Sequence, residues 1–222
     1  MFKSIFLKLP AAISVLALLA ACTTPVQRAD YTAFKKSQPR SILVLPPLNE
    51  TSDVKATSGM LAQMTKPIAE AGYYVLPVAV MDETFKQNGL TTPADIQQVS
   101  TAKLRSIFGA DAALYSKVTQ YGSVYTVVDS NTVVTASAKL IDLTTGDVLW
   151  QGSGSASGKE LGNYSVNAGL IGALVQAAVK QVAHNLSDDS FAVAGLTSQR
   201  LLSAGPPNGL LYGPHSPKYG TD

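Results

Sequence analysis

One cysteine stands in the 222-residue chain, at position 22, and it limits what the chain can become. A lone thiol forms no intramolecular disulfide and cannot build a thiolate metal site, so the fold must hold itself together by burying apolar side chains. About 160 residues follow that can fold, enough for one domain with an adequate core.

The context of Cys22 is as restrictive as its number. Lys3 and Lys8 precede an uncharged stretch, Leu9 to Ala21, interrupted only by Pro10 and Ser14. The stretch is too short to span a bilayer and suits a signal peptide. It closes on Leu19-Ala20-Ala21-Cys22, which matches a lipobox: small residues let the peptide into a narrow protease site, and the thiolate takes the diacylglycerol. An ordinary secretory signal with a chance cysteine is the alternative, but the only cysteine sits at the one required place. Residues 1–21 are therefore read as a signal peptide and Cys22 as the acylated, palmitate-bearing residue. Two or more acyl chains give stable membrane attachment. Thr23 stands where an aspartate would signal inner-membrane retention, which points to the outer membrane, on its periplasmic face or at the cell surface.

Removing the signal removes two of the 17 Lys and Arg and none of the 15 Asp and Glu. The mature chain is neutral, which gives no electrostatic footprint for nucleic acid.

Residues 22–40 are polar and read as a lipidated tether. Ser41 to Pro46 is a continuous apolar run, as in a strand buried on both faces. A helix over about 54–71 follows, capped by Asp53, with Met60, Leu61, Met64 and Ile68 on one stripe; Pro67 should kink or shorten it and Gly72 end it. Tyr73 to Val80 reads as a second strand and Val80 to Gln87 as a short helix. Thr92-Pro93-Ala94-Asp95 opens a further helix that carries Ile96, Val99, Leu104, Ile107 and Phe108 and stops at Gly109. The period then changes to two. Asp111–Tyr121, Val124–Val128, Thr132–Leu143 and Val148–Ser157 read as antiparallel strands, with turns at Asp129-Ser130-Asn131 and Thr144-Thr145-Gly146-Asp147. Ala168 to Leu186 reads as a final apolar helix. The expected fold is α/β: a single domain over 41–187, with a mixed parallel and antiparallel sheet flanked by helices. Residues 188–222 form a Pro/Gly-rich C-terminal tail. Its Leu201, Leu202, Leu210, Leu211 and Tyr212 are too apolar for a free linker and are candidate contacts for a homodimer or a docked partner.

Arg40 to Pro47 resembles the opening strand of the curli-secretion lipoprotein, of lipoprotein activators of penicillin-binding proteins, and of the N-terminal domain of the periplasmic Tol-system protein. Leu140 to Trp150 resembles the strand-turn-strand of the first two groups. Over nearly its whole length, including Gly213 to Tyr219, the chain is similar to a family of Gram-negative lipoproteins that includes a meningococcal antigen. That family has no assigned reaction; the resemblance implies a mixed α/β fold and an accessory part in envelope transport or secretion. Paired long alternating segments of the kind that build a transmembrane barrel are not seen.

No catalytic constellation is legible. His184 and His215 stand 31 residues apart without matching ligands, and Asp188-Asp189 reads as a solvated pair. Gly152-Ser153-Gly154-Ser155-Ala156-Ser157-Gly158 lacks the ending of a phosphate loop and follows hairpin strands. It also falls short of a nucleophile elbow. The expectation is an outer-membrane lipoprotein without enzyme activity, cofactor or metal, serving as a homodimeric accessory subunit of an envelope assembly. The alternative is a regulatory lipoprotein that binds and activates a periplasmic cell-wall enzyme.

Overall fold

Strand β1 (Ser41–Val44) shows why its sequence is apolar without alternation. Ile42 and Val44 enter one core with Met60, Met64 and Ile68, while Leu43 and the following Leu45 enter a second core with Met81, Phe85 and Leu104. The computed structural model describes residues 29–125, 130–161 and 189–222. In it β1 runs parallel to β3 (Tyr74–Val75) on one side and to β4 (Ala112–Tyr125) on the other. Pro46-Pro47 cannot donate to that ladder, and the chain rejoins β4 as the short β2 (Leu48–Asn49). Ile42 pairs with Ala112 but Leu48 with Lys117, so the diproline segment inserts one extra residue.

Beyond β4 the sheet turns antiparallel, through β5 (Ser130–Asp142) and β6 (Val148–Ser157), in the order β3-β1-β4-β5-β6. The result is the expected mixed sheet flanked by helices in a single domain. Two expected strands are one. Gly122 takes a φ of +115° inside β4, and pairing to β5 continues through Gly122–Val133 and Ser123–Thr132. Residues 126–129, with the start of the expected Asp129 turn, lie outside the described residues.

The helices divide between the two faces. α1 (Thr32–Ser37) and α2 (Ala56–Glu70) serve the first core, and α3 (Val78–Gln87), α4 (Pro93–Gln97) and α5 (Thr101–Phe108) serve the second. Pro67 stays inside α2, which runs on to Glu70 before Gly72 turns the chain at φ +98°. Pro77 ends the short β3 and stands at the N-cap of α3, so the strand expected to reach Val80 is two residues long. The helix expected from Thr92 to Phe108 is two. Thr92 Oγ1 accepts from Asp95 N at the first start, and Ser100 Oγ accepts from Lys103 N at the second.

The structure moves both limits of the domain. α1 lies in the stretch read as tether and buries Phe34, 2% exposed. After β6 come the one-turn α6 (Gly158–Leu161) and then α7 (Asp189–Leu202), inside the stretch read as tail. α7 buries Val193, Ala194, Leu201 and Leu202 against the sheet and α2. This helix contains no proline, and its one glycine, Gly195, meets Gln63 of α2; the Pro and Gly content of the tail lies almost wholly after it. The helix expected at Ala168–Leu186 lies outside the described residues, as does Cys22.

Candidate functional site

Trp150, the single tryptophan, organises the edge of the sheet. It is 4% exposed, and its indole N–H donates to the Asn208 carbonyl at 2.9 Å. Successive side chains of a strand point to opposite faces, so residues 150, 152, 154 and 156 share the face that meets α7. A Cβ on Gly152 would fall 2.5 Å from the Trp150 ring, and one on Gly154 would fall 3.1 Å from Leu201 Cβ and 3.2 Å from Leu201 N. The Gly-Ser-Gly-Ser run thus lets a tryptophan and a helix backbone lie flat on the sheet. It is regular strand, which agrees with its mismatch to a phosphate loop.

Beside Trp150 opens a groove of about 980 Å³ whose walls include Ala29, Asp30, Trp150, Leu201 and Asn208. Asn208 joins its sides: its carbonyl accepts from the Trp150 indole N–H, and its side-chain oxygen accepts from Ala29 N at 3.0 Å. Tyr31 donates to the neighbouring Gly209 carbonyl at 2.6 Å. The first described residues are therefore pinned to the loop that follows α7.

On the opposite face, β4–β6 carry a second concavity of about 610 Å³, bordered by Tyr115, Lys117, Ser137, Lys139, Gln151 and Ser153. The second core reaches only the β3-β1-β4 side of this face, together with Leu143 after β5. Lys117 pairs with Glu50 at 3.2 Å with both side chains about half exposed, and the Thr135 and Ser155 hydroxyls lie 2.9 Å apart. Burial pushes the Tyr115 phenol above its ordinary value. Hydroxyl, amide and ammonium groups on a rigid sheet can hydrogen-bond a polar partner.

The C-terminal segment closes over the first core. Tyr73 donates to the Leu211 carbonyl at 2.6 Å, and Gly213 N and His215 N donate to the Ala71 and Gly72 carbonyls at 2.8 and 3.0 Å. Tyr212 N donates to Asp222 Oδ2 at 2.7 Å, Lys35 Nζ donates to the Asp222 carbonyl at 2.9 Å, and Lys218 lies 5.4 Å over the Tyr212 ring. Leu201, Leu202, Leu210 and Leu211 are buried in the chain's own core, and Tyr212 is half-buried. The four leucines that motivated tail-mediated contacts are thus covered in cis.

Asp142 ties α1 to the β5–β6 turn. Its carboxylate accepts from Thr144 N at 2.6 Å, from Thr145 N at 2.9 Å and from the Ser37 hydroxyl. Burial pushes its pKa up, but the donors from Ser37, Thr145 and Thr144 outweigh it, so the carboxyl sits below its ordinary value. The Thr144–Asp147 turn is thus held chiefly by Asp142, the residue two positions before it.

Among the described residues no group of three His, Cys, Asp or Glu side chains is placed to hold a metal, and no helix is long and apolar enough to cross a membrane. His184 and Asp188 lie outside those residues; Asp189 begins α7. Sequence reasoning missed Asn208, Ala29 and Tyr73, whose roles are made by contacts across 58 to 179 positions. A polar residue between Pro-Pro and Gly was the one local signal, and it reads only as a loop.

The family model for GNA1162-like lipoproteins matches residues 29–215. Lipoprotein NMB1124/NMB1162 of Neisseria meningitidis serogroup B is 51% identical over 208 residues, 92% of this chain and 95% of its own length. The crystal structure of lipoprotein GNA1162 from Neisseria meningitidis, 52% identical, superposes with a TM-score of 0.51 and covers 66% of this chain and 100% of its own.

Proposed function

Because the chain belongs to the GNA1162-like lipoprotein family, we propose that it is acylated at Cys22, sits in the outer membrane, and serves as a non-catalytic, self-associating accessory subunit of an envelope transport or secretion assembly. The observation that carries this reading is the uncovered outer face of β4–β6. Strands of 14 and 13 residues, against a usual length of about 5–6, extend far past the four residues of β1. With β6 they present Thr119, Lys139, Gln151, Ser153 and Ser155 to solvent. A polar face on a rigid sheet keeps the domain soluble and offers hydrogen bonds to another protein without an apolar patch that would aggregate.

The test is crosslinking of the acylated protein in cells, followed by mass spectrometry of the complexes. Channel or lipoprotein partners, and a band at twice the monomer mass, are the expected products. Lys139→Glu combined with Ser153→Arg should lower recovery of the partner at least about tenfold, roughly 1.4 kcal/mol of binding, while the protein level holds. Unchanged recovery would remove the sheet face from the reading. A cell-wall synthase as the crosslinked partner would decide for an enzyme-activating lipoprotein instead, and labelling by a serine-reactive probe would end the non-catalytic reading.

A further inference from the structure

Chain length and the place where the fold begins together orient the domain. Seven chain steps separate Cys22 from Ala29. Whatever path residues 22–28 take, that length spans at most about 25 Å. A compact body of about 160 residues is about 40 Å across. The acylated cysteine therefore reaches the headgroups only from the side on which Ala29 sits, and Ala29 is fixed there by its bond to Asn208 and by the adjacent Tyr31–Gly209 bond. We propose that the end of the domain formed by Ala29–Asp30, the start of β6 and the loop over 203–209 lies against a phospholipid surface.

The chemistry of that end fits such a surface. Residues 203–209 read Ser-Ala-Gly-Pro-Pro-Asn-Gly and carry no ionisable side chain, so approach to headgroups desolvates no charge in the loop. Pro206, Pro207 and Asn208 are exposed, and Val148 beside them is 49% exposed. Asp30 and Asp147, the acids nearest in sequence, are also exposed and stay hydrated. The proposed partner face runs away from that end, beginning at Lys139–Gln151, next to the Leu140–Trp150 pair. Trp150 pairs with Leu140, and ten strand positions farther along β5 stands Ser130. At ~3.3 Å per residue the far end of the hairpin is about 30 Å from the level of the loop. The lipid anchor thus holds one end of the sheet down and carries the other end clear of the membrane.

This inference rests on acylation at Cys22, and the experiment separates the two. The acylated chain has no other thiol, so one cysteine can be added at Val148 or, as a distal reference, at Val54. Val54 is 88% exposed, and its neighbour Asp53 lies against Gly122, far along the hairpin. Each variant is labelled with a fluorophore and reconstituted into phosphatidylethanolamine–phosphatidylglycerol vesicles that carry a headgroup quencher. The Val148→Cys label should be quenched several-fold more than the Val54→Cys label. Protein that floats with the vesicles but shows equal quenching at both sites, or the reverse order, overturns the orientation and leaves the anchor standing. Protein that does not float with the vesicles removes the anchor and the orientation together.

Discussion

At the residue scale, long-range hydrogen bonds tie the C-terminal segment to the start of the fold. Tyr73 is the sharpest case: 5% exposed, it donates to a carbonyl 138 positions away, and burial together with the nearby Asp222 and Tyr219 pushes its phenol well above the ordinary range. The hydroxyl therefore stays protonated and remains a donor at any working pH. Tyr73→Phe keeps the ring against Phe34 but leaves the Leu211 carbonyl without this donor. The expected cost is about 1–3 kcal/mol, the penalty of an unsatisfied buried group, read as a lower midpoint in urea with an unchanged slope. A midpoint equal to that of the wild type would mean that the C-terminal segment is not seated on the core in solution. The same scale explains the two glycines of the β6 run, each set where a Cβ would collide with Trp150 or Leu201.

At the element scale, α6 and α7 are latched together across residues 162–188. Glu160 accepts from Ser157 N at 2.9 Å and from the Arg200 guanidinium, and Arg200 also donates to the Ser155 carbonyl at 2.9 Å. The Arg200 bond, then the Ser157 amide, bring the Glu160 pKa down to about 2. A depressed carboxylate contributes stability that is fully present above its unfolded value of about 4.3 and is lost as pH falls through the folded value. Glu160→Gln should therefore melt lower than the wild type by a constant amount above about pH 5, with the gap closing as pH falls toward 2. A gap that stays constant down to pH 2 would mean that the charge contributes nothing and that the cost is one of packing. Much at this scale was legible. The apolar run of β1, the caps at Thr92 and Gly109 and the period-two strands each follow from local chemistry. What was hidden is also physical. Gly122-Ser123 looks like a turn until pairing with β5 keeps it within the strand, and Ser100 restarts a helix that periodicity alone carries through. Asp189–Leu202 sits next to so much proline and glycine that composition masked its helix.

At the scale of the molecule, the chain ends read as tether and tail are parts of the core, and this changes what a truncation can report. Leu210 and Leu211 are buried against the first core, where each full burial contributes about 1.5–3 kcal/mol. α7 adds Val193, Leu196, Leu201 and Leu202 to the same cluster. A domain of this size has a net stability of only about 5–15 kcal/mol. Cutting after Leu202 removes the two leucines and the Tyr73, Ala71 and Gly72 partners, a loss of the same order as the net stability. Cutting after Leu186 removes α7 as well. The non-acylated domain, begun at Thr23 with the cysteine omitted, should keep a cooperative thermal transition when full length. After Leu202 it should melt at a markedly lower temperature, and after Leu186 it should lose the transition altogether and scatter light as an expanded or aggregated species. Circular dichroism with multi-angle light scattering checks all three proteins. A compact, cooperative monomer from the Leu186 cut would show that α7 and the C-terminal segment are dispensable to the fold. Where the full-length protein is at the same time a dimer, that result would return their leucines to the role of contacts between chains, because a dimer that becomes a folded monomer on losing them used them there.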